Sequence, residues 1–303
     1  MERLRVGLIG WGTVGAALGE LVMNGPLPLT LACLAVRDPN RPDLPKGVQL
    51  VQPEQALDGD VVVELAGGLE GPLKWARLAL DRGTPYVTAN KALLATHGGE
   101  LAQLAGRRVA ALLGSASVGG GTPMIEMTQH LATTKAIERI RGIVNATTTY
   151  ILSAMGQGRT YADALREAQE AGYAEADPSF DVDGRDAAQK LAILASVAWG
   201  KWRPETEVDT AGIVGQSVDA GETIRLVAEA TKDKMTVTPM QLDPSDPLAH
   251  ASGIESVLEI TTSDATFRIS GPGAGGRVTA GAVYADLGRL VHGERPVLFG
   301  SAA

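Results

Sequence analysis

The chain has 303 residues and a formal net charge of −8, and its composition of 45% hydrophobic and 20% charged residues is typical of a soluble globular protein long enough for two domains. The acidic balance argues against nucleic acid and anionic membranes as main partners, and the single cysteine, Cys33, excludes an intrachain disulfide and a cysteine-based metal framework. No apolar run reaches transmembrane length and no small-residue cleavage site follows the N-terminal apolar run, so we expect a cytoplasmic protein without a membrane partner.

The first predicted elements are a strand over residues 4–9, a glycine-rich turn and a helix over residues 14–23. The turn reads G-W-G-T-V-G, and a strand before it and a helix after it are the context in which G-x-G-x-x-G binds a dinucleotide. Its backbone N–H groups can approach a pyrophosphate at the helix N-terminus. The alternative is simple turn chemistry. The candidate cofactor ligands are Gly10, Gly12, Thr13, Val14 and Gly15.

A second strand is predicted over residues 29–36 and ends in Arg37-Asp38. A carboxylate at this strand end suits the ribose 2′-hydroxyl of NAD, whereas an arginine suits the 2′-phosphate of NADP. Because Arg37 comes first, we favour NADP, with NAD tolerated; the alternative is a loop arginine that opens a proline-rich turn. Cys33 lies inside this strand and is interpreted as inert core.

The next elements alternate between strand and helix. Strands are predicted over 61–65, 85–88 and 108–113, with a helix over 72–81, and this alternation predicts a Rossmann-type doubly wound parallel sheet. Ligands of such sheets lie at the C-terminal ends of the strands. Residues 10–15, Gly67-Gly68, Lys91 and residues 118–122 all fall there.

The pattern changes after residue 130. An alternating strand over 136–144, a helix over 161–171 and strands over 235–242, 256–261 and 266–270 predict a second, α+β domain with a half-exposed antiparallel sheet. The predicted division is therefore a dinucleotide-binding domain over 1–130 and a catalytic domain over 131–278. The C-terminal segment 279–303, with a helix over 279–290, is expected to pack back on the first domain.

The stretch from Gly172 to Lys190 is rich in acidic residues and ends in a predicted helix over 185–198. In that helix Asp186 and Lys190 are four residues apart, so they share one face, next to an apolar stripe that would partly desolvate the lysine. The alternative is a surface ion pair on an ordinary amphipathic helix.

Several motifs occur in order along nearly the whole chain. They are G-W-G-T-V-G, A-V-R-D, E-L-A-G-G, T-A-N-K-A-L-L-A, A-S-V-G-G-G-T-P-M-I, N-A-T-T-T-Y-I-L and G-Y-A-E-A-D-P-S-F-D-V-D-G-R-D-A-A-Q-K-L-A-I-L-A. Together they resemble the homoserine dehydrogenases, and the last motif is far more specific than a dinucleotide fingerprint.

The resemblance implies the reversible NAD(P)H-dependent reduction of L-aspartate 4-semialdehyde to L-homoserine, on the route to threonine and methionine. It assigns Lys190 the general acid/base role and places Lys91 beside the nicotinamide and the substrate. It makes Glu175 and Asp186 anchors of the substrate's ammonium and hydroxyl end. It also brings Asp181 and Thr147 to the substrate and Gly67 to the cofactor, and it implies a homodimer built on the sheet of the second domain.

The chain departs from the family pattern at several positions. The family usually carries a glutamate where this chain has Ser115, and that glutamate helps to bind sodium. A monovalent cation is therefore doubtful here and at most weakly held, at Val118, Gly120 and Thr122. Ala146 and Thr149 replace a glycine and an asparagine of the family. We also expect no threonine feedback through an appended ACT domain.

Two rival functions remain open. An aldehyde-oxidising semialdehyde dehydrogenase would need a cysteine nucleophile, and Cys33 is a poor candidate inside a strand. A non-catalytic dinucleotide sensor would show the same glycine turn, but it would not need Glu175, Asp186 and Lys190.

Overall fold

The computed structural model describes residues 2–299. Met1 and residues 300–303, which belong to the predicted first domain and C-terminal segment, lie outside the described residues. The strands are β1 Leu4–Ile9, β2 Leu29–Ala35, β3 Gln49–Val51, β4 Val61–Glu64, β5 Tyr86–Thr88, β6 Leu112–Leu113, β7 Ile137–Ile143, β8 Val208–Thr210, β9 Ile224–Thr231, β10 Met235–Gln241, β11 Glu255–Thr262 and β12 Thr266–Pro272. The helices are α1 Thr13–Asn24, α2 Glu70–Asp81, α3 Lys91–Arg108, α4 Met124–Thr134, α5 Ala146–Gly156, α6 Tyr161–Glu170, α7 Ser179–Val182, α8 Arg185–Trp199 and α9 Gly276–Val291.

The described residues fall into two compact units. The first comprises those of Met1–Gly121, Gly200–Trp202 and Ala274–Ala303, and the second comprises Thr122–Trp199 and Arg203–Gly273. The assignment of cofactor binding to residues 1–130 and of catalysis and dimerisation to residues 131–278 stays a prediction. No helix among residues 2–299 has the length and apolar character needed to cross a membrane.

The first unit is built on a six-stranded parallel sheet in the order β3-β2-β1-β4-β5-β6. This confirms the predicted doubly wound parallel sheet. The chain moves outward from β1 in both directions, so the order reverses between β1 and β4. Ligands of this fold class bind at that switch point, beyond the C-terminal ends of the strands.

The strand predicted over residues 108–113 is wrong over most of its length. Arg108 is the last residue of α3, a helix that was not predicted. Only Leu112 and Leu113 of the predicted strand pair with β5. The helix begins because the side-chain oxygen of Asn90 accepts a hydrogen bond from the backbone N–H of Leu93. It ends at Val109, whose φ of 55° breaks the helix in the left-handed region.

The core of the first unit joins the start and the end of the chain. α9 packs against α1, and Val283 and Leu287 of α9 are fully buried in one cluster with Leu18 of α1 and Leu8 of β1. Apolar residues spaced three and four apart put these side chains on one face of each helix.

The second unit is built on a mixed sheet in the order β12-β11-β7-β9-β10-β8. Its pairs are antiparallel except for β10 with β8, which is parallel. The predicted antiparallel sheet is therefore confirmed for its central strands. The strands β8 and β9 and the helices α4, α5 and α7 are additions to the predicted elements. Helix α8 packs against β9 and β10 and is buried over nearly its whole length.

Candidate active site

The glycine turn after β1 has a geometry that only glycine can supply. Gly10 has a φ of 106°, and a Cβ there would lie 2.6 Å from the backbone carbonyl of Leu65. A Cβ on Gly15 would lie 2.2 Å from the carbonyl oxygen of Gly10. α1 begins directly afterwards at Thr13, and no side chain of residues 2–299 caps it. Its first-turn N–H groups therefore remain available to an anion.

A cavity of about 910 Å³ lies beside this turn, within the first unit. Of the predicted cofactor ligands, Gly10, Gly12 and Arg37 line the cavity, whereas Thr13, Val14 and Gly15 form the first turn of α1. Arg37 is exposed on the wall at the end of β2. The volume is that of a small-molecule site.

The loop that carries Arg37 is tied to the glycine turn by two hydrogen bonds. Nε1 of Trp11 donates to the carbonyl of Asp43 over 3.1 Å, and Nη1 of Arg41 donates to the carbonyl of Trp11 over 2.7 Å. The Arg41 guanidinium also holds the pKa of the Asp43 carboxyl below its usual value. The loop at the end of β2 is thus held next to the phosphate-binding turn.

The buried Glu64 is the last residue of β4. Gly67 lies in the loop that follows β4, and Lys91 begins α3 just after β5. Oε1 of Glu64 accepts hydrogen bonds from the backbone N–H groups of Ala66 (2.8 Å) and Gly67 (3.0 Å). Burial raises the pKa of Glu64. Hydrogen bonds from the Thr88 hydroxyl and from the backbone N–H groups of Gly67 and Ala66 oppose this shift but do not cancel it. Sequence reasoning missed Glu64, although an acidic residue that ends an otherwise apolar strand could have identified it.

Lys190 is held in the second unit by a buried ion pair. Its Nζ donates to Oδ2 of Asp186 over 2.8 Å and to the carbonyl of Val144 over 2.7 Å. Only 16% of the Lys190 side chain and 8% of the Asp186 side chain are exposed. These exposures rule out an ordinary surface pair on the helix.

An amide side chain joins this pair to a second carboxylate. Nδ2 of Asn145 donates to Oδ2 of Asp186 (2.8 Å) and to Oδ1 of Asp181 (2.7 Å). The Thr147 hydroxyl lies 3.0 Å from Oδ2 of Asp181 and 2.6 Å from the carbonyl of Tyr173. Asn145 also caps α5, since its Oδ1 accepts from the backbone N–H of Thr148. Sequence reasoning missed Asn145, although an asparagine between a strand and a helix is a recognisable cap.

The structure therefore brings four of the predicted residues together and leaves one apart. Thr147, Asp181, Asp186 and Lys190 form one hydrogen-bonded cluster with Asn145, whereas Glu175 is exposed. Among residues 2–299, no partner bonds to the Glu175 side chain; Gln169 donates to its backbone carbonyl.

A buried carboxylate that the sequence analysis does not include lies beside Ser115. The Ser115 hydroxyl donates to Oδ1 of Asp286 over 2.6 Å, and the Ser115 backbone N–H donates to Oδ2 over 3.1 Å. Val118 and Gly120 lie in the same unit, while Thr122 opens the second unit. The part of the chain that the structure describes contains no group of three or more histidine, cysteine, aspartate or glutamate side chains able to hold a metal ion.

Comparisons with known proteins agree over nearly the whole chain. Residues 123–287 match the family model described as homoserine dehydrogenase, and residues 10–113 match the model of the homoserine dehydrogenase NAD binding domain. A homoserine dehydrogenase of Corynebacterium glutamicum is 36% identical over 96% of this chain and 73% of its own length. One of Sulfurisphaera tokodaii is 32% identical over 96% of this chain and 99% of its own length. The solved structure of a hyperthermophilic archaeal homoserine dehydrogenase in complex with NADPH is similar with a TM-score of 0.87, at 29% identity over 97% of this chain and 99% of that one.

Proposed function

The chain belongs to the homoserine dehydrogenase family of NAD(P)-dependent oxidoreductases, and from this premise we propose which of its residues perform each part of the reaction. The reaction is the reversible reduction of L-aspartate 4-semialdehyde to L-homoserine, in the biosynthesis of threonine and methionine. The bound nicotinamide supplies the hydride in this direction. The residues of the chain hold the cofactor, orient the substrate and move one proton.

The first unit fits the dinucleotide. The turn at Gly10 and Gly15 is a cradle that a Cβ would fill, and the uncapped first turn of α1 offers N–H groups to the pyrophosphate. Arg37 would contact a 2′-phosphate at the far end of the cavity, so NADP is the favoured cofactor and NAD a usable one. Thr13, Val14 and Gly67 would contact the cofactor through their backbone.

Lys190 is the proposed general acid in the direction of reduction. A lysine ammonium has three N–H donors, and Lys190 uses two of them on Asp186 and Val144. The third has no partner among the described residues, so it can donate to the substrate oxygen, where negative charge develops as the carbonyl is reduced. The Asp186 carboxylate fixes the position of the Lys190 ammonium. This buried pair is the observation that carries the proposal.

The carboxylates near Lys190 are proposed to bind the ammonium end of the substrate. Asp181 is held by Asn145 and Thr147, and Asp186 is held by Asn145 and Lys190, so both present fixed acceptors. Glu175 is exposed and can add a third carboxylate. Lys91, the first residue of α3, is proposed to lie beside the nicotinamide and the substrate.

An activity assay tests this function against its rivals. The purified protein is expected to reduce NADP⁺ in the presence of L-homoserine and to oxidise NADPH in the presence of L-aspartate 4-semialdehyde, with homoserine identified by chromatography. Oxidation of the aldehyde to an acyl product would instead support the semialdehyde dehydrogenase. That reaction needs a reactive thiol, whereas burial raises the pKa of Cys33. Binding of NADPH without turnover of either substrate would support a sensor.

Two further proposals concern a monovalent cation and the location of the protein. A monovalent cation is at most weakly held, so activity should depend little on Na⁺ or K⁺ at constant ionic strength. The protein is proposed to be cytoplasmic, and fractionation of cells that express it would test this; recovery with membranes would contradict it.

The second-unit sheet supports the proposed homodimer. Its face away from the buried side chains of Ile140 and Ile260 carries Arg141, Glu259 and Arg268, and Met240 on the same face is 40% exposed. Residues 242–251 cover the apolar side chains Val227 and Val257 of this face. The remainder exposes Met240 with the charged side chains of Arg139 and Arg268. A sheet face with such exposed side chains can form a symmetric contact with a second copy. Light scattering should give twice the 31.4 kDa chain mass, and a monomer mass would contradict the proposal.

A further inference from the structure

Glu64 has no exposed surface, although it is an ionisable residue at the end of a strand. In the sheet it pairs with Ile9 of β1 on one side and with Thr88 of β5 on the other. Ile9 directly precedes the glycine turn, and Thr88 precedes the segment that carries Lys91. Glu64 therefore lies where three loops of the candidate site begin.

A closed ring of hydrogen bonds runs through the Glu64 carboxyl. One oxygen accepts from the backbone N–H groups of Ala66 and Gly67, and the other accepts from the Thr88 hydroxyl over 2.8 Å. The same hydroxyl accepts from the backbone N–H of Asn90 over 3.0 Å. The Asn90 side chain closes the ring, since its Nδ2 donates to the carbonyl of Gly68 over 2.7 Å.

The ring includes the cap of the helix that starts with Lys91. Oδ1 of Asn90 accepts from the backbone N–H of Leu93, so one asparagine contacts the loop after β4 and the first turn of α3 at once. A shift of Thr88 or Asn90 would move Lys91, because Lys91 directly follows Asn90. Gly67 and Gly68 have φ values of 68° and 81°, a left-handed conformation that glycine adopts without strain, and the hydrogen bonds of the ring select it from the many that glycine allows.

An apolar residue would suit the strand better than Glu64 does. The three preceding residues of β4, Val61 to Val63, are fully buried valines, and burying a carboxyl among such residues is unfavourable unless donors surround it. The donors to Glu64 come from the loop that follows β4 and from Thr88, the last residue of β5 before the loop that leads to α3. The carboxyl therefore serves the loops and not the strand.

We propose that Glu64 is a positioning residue for hydride transfer, which holds the loop of Gly67 and the start of α3 with Lys91 in their working arrangement. The inference rests on the proposed function, since it assigns Glu64 to the nicotinamide end of that site. Cofactor affinity comes mainly from the glycine turn and Arg37, which the ring does not contain. Loss of the ring should therefore slow the hydride step more than it weakens cofactor binding.

The test compares Glu64→Gln with variants of Thr88. Glutamine keeps the size of the side chain and an acceptor for Ala66 and Gly67, but its NH₂ group can only donate to the Thr88 hydroxyl, whose own O–H then loses its acceptor in the ring. Thr88→Val removes that hydroxyl, and Thr88→Ser keeps it. Glu100→Gln is the control, because Glu100 forms an exposed ion pair with Arg77 outside the ring.

The readout is the single-turnover rate of NADPH oxidation by L-aspartate 4-semialdehyde, per NADPH-binding site, together with the Kd for NADPH. Normalisation to binding sites removes any loss of folded protein. Glu64→Gln and Thr88→Val should each slow the step about tenfold with less than about a threefold change in Kd, and the double variant should be no slower than either single variant. Thr88→Ser and Glu100→Gln should match the wild type.

An unchanged rate per site in Glu64→Gln and Thr88→Val would overturn the inference, and so would additive effects in the double variant. If Glu64→Gln does not fold, the two Thr88 variants provide the test. Equal rates per site in Thr88→Val and Thr88→Ser would also overturn the inference. Absence of turnover in the wild type would contradict the proposed function itself. Turnover in the wild type with unchanged variants would refute only the role of Glu64.

Discussion

Buried carboxyl groups are satisfied by different kinds of donors in the two units. In the first unit, Glu64 accepts from two backbone N–H groups and a hydroxyl, without a cationic partner in the hydrogen bonds that hold it. In the second unit, Asp186 pairs with Lys190, and Glu259 pairs with Arg141 and Arg268. Backbone donors fix the loop that follows a strand, and the arginine pairs of Glu259 fix a sheet face, whereas a lysine paired with a carboxylate can also exchange a proton. On the proposed function, the first unit binds the cofactor and the Asp186–Lys190 pair of the second unit moves the proton.

The largest expected effect comes from removing Lys190, the cation of the buried ion pair in the second unit. Lys190→Ala should lower kcat by about 10²–10⁴-fold, the usual contribution of a general acid or base, with the Kd for NADPH nearly unchanged. Lys234→Ala, which removes an exposed lysine of the same unit, should retain full activity. If Lys190→Ala kept more than about a tenth of the wild-type activity, the ion pair of Lys190 would be structural only. Lys91 would then be the better candidate for the general acid.

Adding a carboxylate next to the buried Asp286 of the first unit should be the next most harmful change. Ser115→Glu would place it beside the buried Asp286, and we expect a loss of roughly 3 kcal/mol or more in the free energy of unfolding. Ser115→Ala, which removes one hydrogen bond to a carboxylate, should lose about 1.5–3 kcal/mol. Urea unfolding measures both. A Ser115→Glu protein more stable in Na⁺ than in a bulky organic cation would show that the added carboxylate creates a cation site. Wild-type stability in Ser115→Glu would contradict the expected repulsion.

Arg37→Ala tests whether one cation of the first unit acts on the cofactor. Only NADPH presents a 2′-phosphate, so its Kd should rise about ten- to hundredfold while the Kd for NADH changes little. Arg41→Ala is the matched comparison: Arg41 holds the loop through Trp11 and Asp43, so its loss should weaken both cofactors alike. Equal losses for both cofactors in Arg37→Ala would assign Arg37 to holding the loop.

Asp246 tests the contribution of an ion pair to stability in the second unit. Burial alone would raise the pKa of Asp246, but hydrogen bonds from Arg141 and the backbone N–H of Leu248, together with the charges of Arg141 and Arg268, hold this pKa below its usual value. A depressed pKa stabilises the fold above the unfolded pKa of about 3.9, and this contribution is lost as the pH falls through the folded value. Asp246→Asn should therefore be less stable than the wild type by about 1 kcal/mol at neutral pH, with the difference shrinking below about pH 4. A difference that does not vary with pH would contradict the role of this charge.

The smallest expected effect concerns a backbone position without any charge. Val109 has a φ of 55° and is 78% exposed, so its side chain makes little contact while its backbone is strained. Val109→Gly should raise the free energy of unfolding by roughly 0.5–1 kcal/mol, since glycine relieves the strain but loses more entropy. Val109→Ala keeps a Cβ and should gain less. Unchanged stability in both variants would show that the turn is not strained.

The sequence predicted the parts of the site that depend on neighbouring residues. The turn from Gly10 to Gly15 and the pairing of Asp186 with Lys190 follow from spacing alone, because a turn and one helical step define them. Asn145 and Glu64 were missed because their partners lie far along the chain: Asn145 contacts Asp186 at a separation of 41 residues, and Glu64 contacts Thr88 at 24.

The missed helix α3 has a different cause. Gly98 and Gly99 lower the helix propensity of its centre. The structure requires them, since a Cβ on Gly98 would lie 2.3 Å from the ring of Phe299 and one on Gly99 would lie 2.8 Å from the ring of Trp202. Packing against distant residues thus places glycines in a helix, and a single sequence does not show this.

The packing of α9 against α1 affects the order in which the two units can fold during synthesis. The core around Leu8 and Leu18 is completed by Val283 and Leu287, which are synthesised only after the whole second unit. The second unit needs residues 122–273 with only three residues of the first unit between its parts, so it can close while the first unit still exposes apolar surface. Domains usually fold in the order of their synthesis. Here we expect the N-terminal unit to finish last, with its apolar core exposed until α9 is synthesised.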